Sequence, residues 1–518
     1  MHNLKTLPRI TADQLGRGVE RMDQLRLKPD VVILGGGLVG SILASQLAEL
    51  SDDVRVLVLE AGQWEGDDHA QSSLSGPSLV DSLEARHWIL DSPLDVPGII
   101  EAVGGGSIAW SGWSPTPDTT ELEGWPSAVV QELKDLYLED ARSRLRIGSP
   151  HSEIQLAQGI RNLISDGDNV GSFDHNTIKL DTATDIRAPI AMAASGHVFS
   201  PVRKLAQIAI GAQSQQVQVM AGCRVLSLDM VKERLTGIIT DRGRLPVSGQ
   251  QRVVVALNTV ESTRQVLMAL PHSRLAGQNL AAHVVTEVML RVPISSIRKR
   301  FELGTLLIRG SAQGRRFHIQ IHCGVGPIPS DRTGFLRQKV PGLYGEEILS
   351  GTDERHMVVS LIGLGETAPD AENVVVLSET RRDSAGQPLP IVRFAQGLAR
   401  DPILDAMDDC IDRICTQLSR PGTTFRGPSS NPNEWIAELP KRTSLRLGGR
   451  RWTNCVHLSG TLRLGISEST SVTDINASLY GAERVFVGGL SLFPRAGSHN
   501  GGLTAAALAL RLGKLLVS

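Results

Sequence analysis

The sequence predicts an α/β protein in which a Rossmann-like nucleotide-binding unit is interwoven with an α+β unit built on a mainly antiparallel sheet. Three observations carry that expectation. The stretch DVVILGGGLVGSILASQLAEL, residues 30–50, passes from a short apolar run through three glycines into a helical pattern. A second apolar run, RVLVLEAG at 55–62, follows at the distance of a βαβ unit. Beyond about residue 285 the periodicity changes to short alternating runs, the pattern of strands with one packed face.

Gly35, Gly37 and Gly40 stand in G-x-G-x-x-G register between the expected strand Val31–Leu34 and the expected helix Val39–Leu50. Glycine lets the backbone approach a pyrophosphate, and the helix N-terminus, with Leu38 and Val39, offers amide donors to it. Glu60, with Ala61 beside it, ends the second strand twenty residues beyond Gly40, where an acid takes ribose hydroxyls. The glycines are therefore expected to hold an ADP moiety. The βαβ unit alone leaves NAD and FAD open.

A chain of 518 residues is too long for one ordinary domain. Lys and Arg number 53 against 55 Asp and Glu, interspersed, so no basic surface for nucleic acid or anionic membrane is expected. The five cysteines are scattered, without a C-x-x-C pair, which favours a reducing compartment. Residues 1–29 hold Lys5, Arg9, Arg17, Arg21, Arg26 and Lys28 without an apolar core, unlike a secretory signal. No 18 apolar residues run together, and the expected location is cytoplasmic.

Three further segments resemble the glucose–methanol–choline (GMC) flavoprotein oxidoreductases: AVGGGSIAWSGWSPTP (102–117), the region from FSPVRKLAQ through GQNLAAH (277–283), and HLSGTLRLG (457–465) with the stretch after it. The resemblance covers nearly the whole chain in order and is weakest between about 285 and 445. It implies FAD, and Ala109 makes that FAD non-covalent in expectation. Gly104, Gly105, Ser107, Ala109, Trp110 and Ser111 would lie under the flavin ring and pyrophosphate, and Val225 would contact adenine through its backbone. Gly489, Gly501 and Leu503 would belong to the C-terminal flavin-contacting segment. The pattern leans toward the pyranose- and glycoside-oxidase branch, with one departure. Ala109 stands where pyranose oxidases carry a histidine bonded to the flavin, and a methyl group cannot make that bond.

The resemblance implies oxidation of an alcohol to a carbonyl by hydride transfer to flavin N5, with His457 and Asn500 as catalytic residues. A neutral imidazole can take the hydroxyl proton, and an amide can hold the substrate oxygen without competing for that proton. His499 is expected to be a neighbour of the site and not the base. The branch favours a sugar, a glycoside or a sugar-containing natural product; a primary alcohol in a biosynthetic pathway and a non-redox lyase are the alternatives. The electron acceptor is oxygen or an organic acceptor, with no metal, nucleic acid or membrane partner expected. Trp110 and Trp113 offer stacking surfaces for a sugar ring.

The alternating runs TEVMLRV, TLLIRG, FHIQIH, HMVVSLIG, NVVVLSE and LPIVRFA predict the antiparallel sheet. His318, Gln320 and His322 share one face of FHIQIH, for which a solvated surface is favoured over a pocket lining. Arg495 is either a substrate contact or a structural cation. Residues 324–355 read as a long loop, a lid candidate. The expected FAD-binding domain comprises 28–150, 196–284 and 445–518, and the substrate-binding domain 151–195 and 285–444.

Overall fold

A computed structural model describes residues 25, 28–66, 82–148, 156, 159–160, 162, 178–185, 190–191, 198–211, 215–327, 351–426, 435–447 and 449–517. Its first sheet is parallel, in the spatial order Val485–Val487, Arg252–Val255, Val31–Leu34, Val56–Leu59 and Val217–Met220. The central strand, Val31–Leu34, is fully buried. That agrees with its unbroken apolar run, because a parallel sheet is covered on both faces. On one side it pairs with Val56–Leu59, the strand that follows it, and on the other with Arg252–Val255, which comes only after Val217–Met220, so the strand order reverses here. The carboxyl end of this strand is thus the crevice where such sheets take ligands.

The helix Leu38–Leu50 starts one residue before the expected position and carries the glycine turn at its head. It packs against the C-terminal helix Gly502–Val517, where Gln46 Nε2 donates to Leu510 O at 2.8 Å. That contact places the last segment of the chain beside the first.

All six alternating runs are strands. Four of them lie in a seven-stranded sheet ordered Thr424–Arg426, Ala281–Pro293, His356–Glu366, Arg315–Val325, Glu302–Ala312 and Ile178–Asp185, with Val456–Ser459 also pairing to Ala281–Pro293. The helix Pro402–Leu418 covers one face. Asp401 caps it by accepting from Ile403 N, and a proline stands at its first turn. Gly363 and Gly365 admit it closely, since a Cβ on either would lie 3.1 Å from Met407 Sδ or 2.9 Å from Ile403 Cγ1 respectively. In Arg315–Val325 the residues Phe317, Ile319, Ile321 and Cys323 join the core beneath this helix. The alternate residues point the other way.

Of the long loop expected at 324–355, Gly324 and Val325 complete a strand, and 328–350 lie outside the described residues. Among the described residues no helix is long and apolar enough to cross a membrane.

Candidate active site

A cavity of about 650 Å³ opens at the carboxyl end of the parallel sheet. Gly35, Gly37, Leu38, Val39, Glu60 and Ala61 line it, as do Gly105, Ser107, Ala109, Trp110, Ser111, Val225, Gly489, His457 and Asn500. Segments hundreds of residues apart in sequence thus meet around one space. Four expected contacts stand behind its wall. Gly40 packs helix on strand, because a Cβ there would sit 1.9 Å from Gly35 O. Gly104 adopts φ +102° with Val202 where a Cβ would go, and Gly501 packs on Leu490 and Phe493. The Leu503 side chain is fully buried in the core.

Glu60 locks the glycine turn. Its Oε2 accepts from Gly36 N at 2.7 Å and its Oε1 from Gly62 N at 2.8 Å. Burial outweighs these bonds and pushes its carboxyl up to about 7. The residues present fit FAD. Gly106 and Gly489 face open space where a Cβ would be, and an acid and a helix start stand at one end of the same cavity.

His457 lies on the strand Val456–Ser459 with φ +58°. A non-glycine residue in that region is held there by its surroundings, and such strain gathers at functional sites. Its Nδ1 lies 2.9 Å from Nδ1 of His283, whose Nε2 lies 2.9 Å from Gly497 O. Burial, with the neighbouring His499, pushes the His457 imidazole down to about 4, so it is neutral near physiological pH.

Asn500 is held from the antiparallel sheet. Gln320 Nε2 donates to Asn500 Oδ1 at 3.0 Å and to His318 Nε2 at 3.0 Å. His318 also bonds the Ser498 backbone, and burial pushes its imidazole down to about 3. That bond draws the Asn500 oxygen toward the sheet, while the residue lines the cavity. The expectation of a solvated face for FHIQIH is therefore corrected. His318, Gln320 and His322 are all buried, and His322 meets Trp113 edge-on with ring centroids 5.0 Å apart. The helix Pro402–Leu418 covers the other face of this strand, so these polar residues turn inward toward the Asn500 segment.

Arg495 is structural. It bonds both oxygens of Glu366 at 2.8 Å and Gly314 O at 2.8 Å. His499 is buried, stacked on Phe493 and bonded to Thr504 Oγ1 at 3.0 Å, away from the cavity lining. Sequence reasoning set Gln320 on a solvated face and missed His283 and Asn279, whose amide donates to Pro494 O at 3.2 Å and ties two loops of the site together. The available signals were the last residue of GQNLAAH and the alternation in FHIQIH.

Residues 369–509 match a family model described as GMC oxidoreductase. No curated protein sequence matches the chain. The fold is similar to pyridoxine 4-oxidase from Mesorbium loti, at 14% identity and a TM-score of 0.61, covering 94% of this chain and 99% of that one. It is also similar to a formate oxidase, at 14% identity and a TM-score of 0.58, covering 94% and 98%. His457 and Asn500 fall inside the region that matches the GMC oxidoreductase model, and the fold of nearly the whole chain is similar to that of these two oxidases.

Proposed function

We propose that the protein oxidises an alcohol to a carbonyl, with His457 as base and Asn500 as the hydrogen-bond donor that orients the substrate oxygen. The observation that carries this reading is that both residues line one cavity while their other polar atoms are engaged by the antiparallel sheet. FAD, when bound there, supplies the two-electron acceptor. A neutral His457 accepts the hydroxyl proton, and the Asn500 amide holds the oxygen without taking it. The FAD is dissociable, because Ala109 on the cavity wall offers no nucleophile.

The FAD-binding part is assigned to 28–150, 196–284 and 445–518, a division supported by the five parallel strands, which all fall within those segments. The substrate is a sugar, a glycoside or a sugar-containing natural product, a reading supported by Trp88, Trp110 and Trp113 on the cavity wall. A primary alcohol is the second reading, favoured by the likeness to pyridoxine 4-oxidase. The names of both neighbours favour oxygen as the acceptor.

Purified protein should be yellow and should release its flavin on denaturation. Anaerobic bleaching of the flavin band by a panel of sugars, glycosides and primary alcohols identifies the substrate class. His457→Ala should retain FAD and lose about 10²–10⁴ in the rate of bleaching. A variant that bleaches at the parent rate removes His457 from the role of base.

A further inference from the structure

We propose that His283 is a positioning residue that keeps the ring hydrogen of His457 on Nδ1, leaving Nε2 as the atom that accepts the substrate proton. The inference rests on the reading of His457 as base and adds which of its two nitrogens does the work. It follows from counting hydrogens. His283 Nε2 faces the carbonyl oxygen of Gly497 at 2.9 Å, and a carbonyl only accepts. That nitrogen therefore carries N–H. A neutral imidazole has one N–H, so Nδ1 of His283 is a bare lone pair. It stands 2.9 Å from Nδ1 of His457, and one hydrogen must lie between them. His457 supplies it.

The surroundings of His283 keep its imidazole neutral. It is 1% exposed. Burial and the nearby imidazoles of His457, His318 and His499 all oppose an added charge. Glu366, its cross-strand partner, is already taken by Arg495 and Gly497 N, at 2.8 and 3.1 Å. Glu366 also holds Gly497 by its N–H, one peptide group before the carbonyl that faces His283. Which nitrogen of a histidine is available is set by the bond the other makes.

Ring ¹⁵N spectra of ¹⁵N-histidine-labelled holoenzyme test this, with the His457→Ala spectrum providing the assignment. The expected result is a protonated Nδ1 and a bare Nε2 on His457. His283→Leu removes the acceptor and should give mixed tautomers. Flavin reduction should then slow by roughly 10- to 100-fold, since a base in the wrong tautomer cannot accept at the right atom. FAD content and the KM for the alcohol should change little. His283→Asn, whose amide oxygen can accept from Nδ1, should recover most of the rate. A His457 that carries hydrogen on Nε2 in the parent overturns the proposal, as does an unchanged tautomer in His283→Leu. The spectra do not depend on turnover. If His457→Ala bleaches normally while the parent shows Nδ1–H, the base assignment fails and the positioning by His283 stands.

Discussion

Two buried side chains show how single residues set the polarity of this site. Glu60 spends its carboxylate on the amides of Gly36 and Gly62. In Glu60→Gln one oxygen becomes an NH₂ group facing an amide N–H, which leaves a buried donor unpaired. The turn should loosen and FAD affinity should fall by roughly 10- to 100-fold, the equivalent of about 1–3 kcal/mol; flavin retention during dialysis and titration of the apoprotein measure it. Gln320 has the corresponding role for Asn500. Gln320→Leu frees the Asn500 amide to turn its oxygen to the cavity, so the KM for the alcohol should rise while FAD content and the tautomer of His457 stay as in the parent. Steady-state kinetics beside the ¹⁵N spectrum separate that outcome from a general loss of folding. His457 and Asn500 were legible in the sequence because each sits in a motif of recognisable spacing. His283 and Gln320 were not, since a polar residue on a strand acquires a role only from what packs against it.

The same limit applies to whole elements. A period of two is local, so the strands of the antiparallel sheet could be read from HMVVSLIG or TLLIRG alone. Which face of FHIQIH is wet depends on the helix Pro402–Leu418, which lies about eighty residues downstream and left no mark on the strand itself. That helix is fastened to the site by a buried charge cluster. Asp408, fully buried, accepts from Thr286 Oγ1 at 2.7 Å and Arg451 Nε at 2.8 Å, and lies 2.8 Å from the equally buried Arg450. Arg450 and Arg451 precede the His457 strand, and Thr286 follows His283 on its own strand. Asp408→Ala leaves Arg450 with only part of its counter-charge and should cost about 3–5 kcal/mol, the usual penalty for an uncompensated buried ion. Denaturant unfolding measures it. Because the cluster braces both histidine-bearing strands, the surviving folded fraction should also show mixed His457 tautomers.

Across the whole molecule, the inward-facing polar layer makes acid tolerance a property of the fold and not of the base. His283, His318 and His322 are each 1% exposed. Burial pushes His318 and His322 down to about 3, and His283 well below its ordinary value of 6.5. In the unfolded chain each titrates near 6.5. Between about pH 6.5 and 3 the unfolded state therefore binds more protons than the native state, and stability falls as the pH drops through that window. Each group contributes a slope of about 1.4 kcal/mol per pH unit, so at pH 5 His318 and His322 together remove roughly 4 kcal/mol, with His283 acting in the same direction, a large part of the whole stability of many domains. His457, held at about 4, is still neutral there. Activity should then stay level as the pH falls toward 5 and disappear with the cooperative unfolding transition, without a separate titration of the base. His322 isolates the effect, because its shift comes from burial alone and its Nε2 has no hydrogen-bond partner among the described residues. His322→Phe keeps an aromatic edge against Trp113 and removes the proton site. Its Tm should match the parent at pH 8 and exceed it at pH 5, by the equivalent of about 2 kcal/mol. An equal Tm difference at both pH values would place the effect in packing and detach acid stability from these imidazoles.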